Sequence, residues 1–176
     1  MKYEYYYKYI NKKTTGRMDA TPLFGDPVVF WNLLKDLIKP FKKIKIQKIA
    51  GLDALGFIIW GALAQKEKVG FVPIRKWGKL PGIPCTILKN SFTDYTKTIK
   101  SFEINKSAIK RGDKVLLVDE WIETGSQMKS AIGLIEKLGG KVIGITTIYA
   151  ERNQQTNILF DKYNLKAINI HDKNLY

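Results

Sequence analysis

Apolar residues at Val29, Phe30, Leu33, Leu34, Leu37, Ile38 and Phe41 recur at helical spacing. Asp26-Pro27 just upstream supplies an N-cap and a first-turn proline, which predicts where this helix starts. The run Ile44–Ala50 reads as a short strand closed by a turn at Gly51-Leu52-Asp53. An apolar helix follows from Leu55 to about Lys66, and Val69–Arg75 is the next strand. From Lys76 to Ser101 the pattern dissolves into Gly78, Pro81, Gly82, Pro84 and then polar residues. That length suggests a functional loop or a flexible hairpin. Periodicity returns with a strand at Lys114–Val118, a helix at Gln127–Leu138 closed by Gly139-Gly140, a strand at Lys141–Tyr149, a short helix within 155–163 and a last strand at Leu165–Ile170. Residues 3–10 are expected to be extended. Alternating strands and helices predict an α/β fold with a mostly parallel central sheet flanked by helices. Ligands of such sheets sit beyond the carboxyl ends of the strands, which directs attention to residues 50–56, 75–79 and 119–127.

The third of these stretches carries the most chemistry. Val115-Leu116-Leu117-Val118 places a buried strand ahead of adjacent carboxylates, Asp119 and Glu120, and Thr124-Gly125-Ser126 then opens a helix. A helix amino terminus presents unpaired N–H groups and a positive dipole end, which suits a phosphate. Gly125 permits close backbone approach, Thr124 and Ser126 add hydroxyls, and the upstream acids can accept hydrogen bonds from vicinal sugar hydroxyls. Such a unit is physically a holder for ribose 5-phosphate. Taken alone it is equally a strand, an N-cap and a helix with incidental acids.

Composition narrows the alternatives. The 176 residues fit one domain, and 45% hydrophobic with 26% charged residues is ordinary for a globular protein. No segment approaches the roughly 20 apolar residues of a membrane helix, and the amino terminus has no secretory run. A lone cysteine, Cys85, excludes an internal disulfide and fits a reducing cytoplasm. One histidine, His171, speaks against a His-based zinc site or catalytic triad. The formal charge of +14 has two readings: a polyanionic partner, or a compositional bias towards lysine. The lysines are scattered and no DNA-binding helix pair is visible, so nucleic acid is not an expected partner.

The segment Val115–Gln127 resembles the phosphoribosyl pyrophosphate motif of type I phosphoribosyltransferases: four apolar residues, two acids, three residues, then Thr-Gly. Ile49–Phe57 with Leu63-Ala64-Gln65 resembles the pyrophosphate loop and following helix of the adenine-specific members. Pro73–Gly82 resembles their Arg-Lys strand end and flexible-loop root. Asp26-Pro27, Phe102-Glu103-Ile104 and Gly112 fit the same register, and the likeness runs from about Met18 to Ala150.

The resemblance implies a type I phosphoribosyltransferase fold over residues 1–176, with a small hood at about 1–25 and a flexible loop at about 77–101. It implies transfer of 5-phosphoribosyl from phosphoribosyl pyrophosphate to a purine-type base, adenine-like or a 6-oxopurine, with release of pyrophosphate. Mg2+ is the implied cofactor, held by substrate oxygens and water or through Asp119 and Glu120. Asp119, Glu120, Glu123, Thr124, Gly125, Ser126 and Gln127 would bind ribose 5-phosphate. Asp53, Ala54, Leu55, Arg75, Lys76 and Lys79 would bind pyrophosphate, and Met18 and Trp121 the base. Glu123, Asp119 and Glu120 would carry catalysis in a cytoplasmic homodimer.

Several positions depart from the family pattern. Leu55 replaces a pyrophosphate-loop Arg, Thr96 and Lys97 replace a loop Glu-Tyr pair, Met18 beside Arg17 replaces a hood Arg, and Ser126-Gln127 replaces Gly-Thr. These losses leave open a second function, a non-catalytic regulatory protein that binds phosphoribosyl pyrophosphate. In the other direction, Glu123 stands where adenine enzymes carry Ala and 6-oxopurine enzymes carry Asp, so it is a candidate general acid/base. Its alternative is a helix-start acid favoured by the dipole. Trp121 and Trp77 would either stack on a base or pack within the protein.

Overall fold

Asp26 begins the main amino-terminal helix as its sequence predicts. Its Oδ1 accepts hydrogen bonds from Val28 N–H and Val29 N–H, both at 2.9 Å, and Pro27 occupies the first turn. The computed structural model describes residues 1–14, 18–93 and 98–173. In chain order the elements are α1 (Tyr3–Tyr7), α2 (Pro22–Gly25), α3 (Pro27–Ile38), β1 (Lys48–Leu52), α4 (Gly56–Glu67), β2 (Gly70–Lys76), β3 (Ile87–Thr93), β4 (Ile99–Asn105), β5 (Lys114–Ile122), α5 (Ser126–Lys137), β6 (Lys141–Arg152), α6 (Asn157–Asp161) and β7 (Leu165–Asp172). The strands form one sheet in the order β3-β4-β2-β1-β5-β6-β7. The five strands from β2 to β7 in that order pair in parallel, and the β3–β4 hairpin joins antiparallel to β2.

The apolar run of β5 is buried on both faces, as a central parallel strand must be. Val115 and Leu117 enter a core with α5 residues such as Ile132 and Ile135, while Leu116 and Val118 enter a second core with α3 and α4 residues such as Leu33 and Trp60. The helices therefore cover the two faces and leave the carboxyl strand ends for a site. No described helix is long and apolar enough to cross a membrane.

Three expectations are corrected. Residues 3–10 are not extended. Tyr3–Tyr7 form helix α1 because Tyr6 is driven to 0% exposure and its hydroxyl donates to Asp36 Oδ2 at 2.6 Å, while the tilted rings of Tyr3 and Tyr7 meet one turn apart. The first strand starts later, at Lys48, and runs through Gly51 and Leu52 because both pair with β2; the chain turns at Asp53. Strand β5 extends past Val118 to Ile122, since Trp121 and Ile122 find partners in Tyr149 and Ala150 of β6. Asp119 and Glu120 thus stand within a strand end rather than a loop. The irregular stretch from Lys76 to Ser101 contains the β3 strand and the start of β4.

Candidate active site

Asp119 is 8% exposed at the end of β5, and its Oδ1 accepts a hydrogen bond from Glu120 N–H at 3.1 Å. The chain leaves the strand at Ile122 and turns into α5 through Gly125, whose φ is 71° and ψ 2°. A side chain is excluded there on two counts. The left-handed region disfavours it, and a Cβ would stand 2.9 Å from Leu159 Cδ1 and 3.3 Å from Thr156 Cγ2. Thr124 and Ser126 hydroxyls lie 3.3 Å apart, and Ser126 N–H points to Thr124 Oγ1 at 3.4 Å. With glycine as the N-cap, no N-cap side chain closes the start of this twelve-residue helix, a terminus whose N–H groups and dipole suit an anion. Glu123 is exposed, and its main-chain carbonyl accepts a hydrogen bond from Asn153 Nδ2 at 3.0 Å. Asn153 was not expected in the site. It lies in a polar turn whose contact with the loop depends on how β6 and α6 pack.

A second group converges at the ends of β1 and β2, where Leu52 pairs with Ile74. Arg75 Nε donates to Asp53 Oδ2 at 3.0 Å, and Lys76 N–H points to the same oxygen at 3.4 Å. The Arg75 guanidinium lies 5.5 Å from the centre of the Phe57 ring. Ala54 and Leu55 are exposed at the tip of the turn, which contains a cis peptide between Asp53 and Ala54. Lys76 and Lys79 are also exposed. Beneath this turn Trp60 is fully buried, and its ring occupies the space that side chains at Gly51 and Gly56 would need.

The residues expected to meet a base do come together. Met18 and Trp121 line one cavity of about 310 Å³ with Tyr3, Tyr7, Tyr149 and His171. Trp121 stacks on Tyr149 with ring centres 4.3 Å apart and planes inclined by 18°. The Tyr149 hydroxyl lies 3.1 Å from His171 Nδ1. Burial raises the Tyr149 pKa, and the nearby Glu151 and Glu123 carboxylates add to that rise. Burial likewise pushes Tyr3 up to about 12, helped by Tyr7 and Tyr149. Both phenols therefore stay neutral donors. Trp77, the other candidate for stacking, is 56% exposed and carries the Lys89 ammonium 3.9 Å from its ring centre. Among the residues singled out by departures from the family pattern, Arg17, Thr96 and Lys97 lie outside the described residues.

An acidic strand end, a left-handed glycine, a helix start and a cationic turn stand on neighbouring strands of a parallel sheet, a set of groups whose chemistry suits a sugar phosphate and a polyphosphate. The family model for the phosphoribosyl transferase domain matches residues 31–175. Adenine phosphoribosyltransferase from Dinoroseobacter shibae is 47% identical over 126 residues, spanning 72% of this chain and 68% of that protein. The enzyme of the same name from Cereibacter sphaeroides is 44% identical over the same shares of both chains. Among solved structures, adenine phosphoribosyltransferase from Thermoanaerobacter pseudethanolicus superposes with a TM-score of 0.84 at 29% identity, covering 96% of this chain and 99% of that one. The Giardia lamblia enzyme, complexed with 9-deazaadenine, gives 0.84 at 28% identity over 97% and 98%. The chain belongs to the phosphoribosyltransferase family, and its sheet is the type I fold of its adenine-specific branch.

Proposed function

We infer that this chain is a purine phosphoribosyltransferase that moves 5-phosphoribosyl from phosphoribosyl pyrophosphate to an adenine-like base and releases pyrophosphate. The observation that carries this is the β5–α5 turn, where a nearly buried Asp119 leads through a left-handed Gly125 into open helix amides. In this reading Asp119 and Glu120 accept hydrogen bonds from the ribose hydroxyls. Thr124, Gly125, Ser126 and Gln127 hold the 5-phosphate by amides and hydroxyls. Arg75, Lys76 and Lys79, with the turn at Asp53, Ala54 and Leu55, face the pyrophosphate. Met18 and Trp121 give the base an apolar seat.

The bond from the anomeric carbon to the pyrophosphate oxygen breaks and a bond from that carbon to a base nitrogen forms. Positive charge builds on the sugar ring and negative charge on the leaving group, so fixed cations at Arg75 and Lys79 act where charge develops. In this reading the proton lost by the base passes to the Glu123 carboxylate, whose charge acts on Tyr149 in the wall of the cavity.

Among the described residues no group of three or more histidines, cysteines or acids could hold a metal by itself. Mg2+ would therefore be held chiefly by substrate oxygens and water, with Asp119 and Glu120 as the carboxylates that suit a hard cation. When bound, it would neutralise charge on the pyrophosphate.

A single domain over residues 1–176, with a hood at about 1–25 and a loop at about 77–101 whose regular part is the β3–β4 hairpin, completes the reading. Exposed apolar side chains at Val28 and Trp31 of α3 and Ile58 of α4 support a homodimer. A free, exposed Cys85 suits a cytoplasmic setting. The test is pyrophosphate release from phosphoribosyl pyrophosphate and Mg2+ across a panel of adenine, 6-oxopurines and non-purine bases. Release with adenine is expected. Binding of the diphosphate without release for any base would make the chain a regulatory protein instead.

A further inference from the structure

Glu103 lies in β4, directly opposite Arg75 in the register, and is 1% exposed. A carboxylate taken so far out of water needs strong compensating partners. Its Oε1 accepts hydrogen bonds from the main-chain N–H of Lys79 at 2.8 Å and of Leu80 at 2.5 Å. These amides belong to the turn that carries the cations of the site. That turn is closed by Lys79 N–H donating to Lys76 C=O at 3.1 Å, with Gly78 at φ +78°, and Trp77 N–H donates to Ser101 C=O at 3.0 Å. At the opposite end of the turn Asp53 holds Arg75 Nε and approaches Lys76 N–H. Two carboxylates, one from the turn after β1 and one from β4, therefore grip residues 75–80 from either side of β2.

We propose that Glu103 is a positioning residue that fixes the cationic turn Arg75–Lys79 against the departing pyrophosphate. The proposal rests on the reading of Arg75, Lys76 and Lys79 as pyrophosphate ligands. Long lysine side chains lose much rotamer and loop freedom when they bind an anion, and a turn already fixed by its main chain lowers that loss. Cations held before the reaction also stabilise charge on the leaving group without reorganising. An apolar side chain at this place would remove the acceptor shared by the Lys79 and Leu80 amides and leave the turn held by its own main chain.

The test uses the full chain with Glu103→Gln, which keeps one acceptor oxygen, and Glu103→Met, which keeps volume and removes the acceptor. Thermal unfolding, phosphoribosyl pyrophosphate KM, base KM, kcat and product inhibition by pyrophosphate are measured for both, with Arg75→Ala and Lys79→Ala alongside. Whatever its effect on Tm, Glu103→Met should weaken pyrophosphate inhibition roughly ten- to a hundredfold and lower kcat, because small misplacements at a reacting centre carry penalties of that size. Base KM should change little, and Glu103→Gln should restore most of the loss. If Glu103→Met lowers Tm but leaves pyrophosphate inhibition intact, the role is packing and the proposal falls. If Arg75→Ala and Lys79→Ala weaken pyrophosphate while Glu103→Met does not, the proposal alone falls and the ligand reading stands. If none of the three changes pyrophosphate inhibition, the ligand reading falls and the proposal with it.

Discussion

Replacing Gly125 by alanine tests the phosphate turn with a single methyl group. At φ 71° an L side chain costs about 1–2 kcal/mol. The new Cβ would also stand 2.9 Å from Leu159 Cδ1 and 3.3 Å from Thr156 Cγ2. Leu159 is fully buried and Thr156 is held by hydrogen bonds to Glu151 C=O and around Asn153, so neither can move freely. Such overpacking adds roughly 1 kcal/mol or more. A total of about 2–3 kcal/mol in a chain of this size corresponds to a Tm lowered by roughly 5–10 °C. Displacement of Thr124 and Ser126 should also raise the KM for phosphoribosyl pyrophosphate while leaving base KM closer to the parent value. Gly61→Ala supplies the control. Gly61 lies inside α4, a Cβ there meets nothing within 4 Å, and the change should stabilise by roughly 0.5–1 kcal/mol. Differential scanning calorimetry and steady-state kinetics read both variants. An unchanged Tm and an unchanged KM in Gly125→Ala would refute the claim that this turn requires glycine.

Other perturbations separate the parts of the site. Glu123 is exposed and its main-chain carbonyl accepts from Asn153, so Glu123→Gln should change stability by no more than about 0.5 kcal/mol. The same change should cut kcat on the order of a hundredfold; near-normal turnover in stopped assays would remove Glu123 from the proton transfer. Trp121→Ala abolishes the stack on Tyr149 and opens the cavity, so base KM should rise while affinity for phosphoribosyl pyrophosphate changes little. At Asp36, burial raises the carboxyl pKa, but hydrogen bonds from the Met1 ammonium and Tyr6 together outweigh it and hold the pKa below the usual value. A depressed folded-state value stabilises above the unfolded carboxyl pKa of about 4 and loses that contribution as pH falls through the folded value. The Tm advantage of the parent over Asp36→Asn should therefore be full at neutral pH and shrink below about pH 4. A difference that stays constant from pH 7 to pH 3 would contradict it.

Much of this molecule is local, and local features are legible in a sequence. Asp26-Pro27 caps α3 because an aspartate oxygen and a proline suit the first turn whatever lies further along the chain. The run Val115–Val118 is a central strand because four consecutive apolar residues must be covered on both faces. The Asp119–Gln127 turn was readable for the same reason: acids, hydroxyls and a glycine follow one another within a few residues. The tyrosine-rich start was misread because Tyr5, Tyr6 and Tyr7 leave no period to follow. What selects Tyr6 for burial is Asp36, thirty residues away on α3. Nothing beside Glu103 in the chain signals its amide partners, because the pairing of β4 with β2 brings Lys79 and Leu80 to it.

The alternation of strands and helices from α3 to β2 and from β5 to β7, the Thr124-Gly125-Ser126 helix start and the candidate acids are legible along the chain, since each depends on neighbouring residues. The packed fold is what extends β5 to Ile122 under the pairing of Trp121 with Tyr149, brings Met18 and Trp121 to one cavity, and sets a carboxylate from the turn after β1 and one from β4 against the cationic turn. Those are meetings of residues far apart in the chain, and only the strand order that sets β4 beside β2 and β6 beside β5 could bring them within hydrogen-bonding or stacking distance.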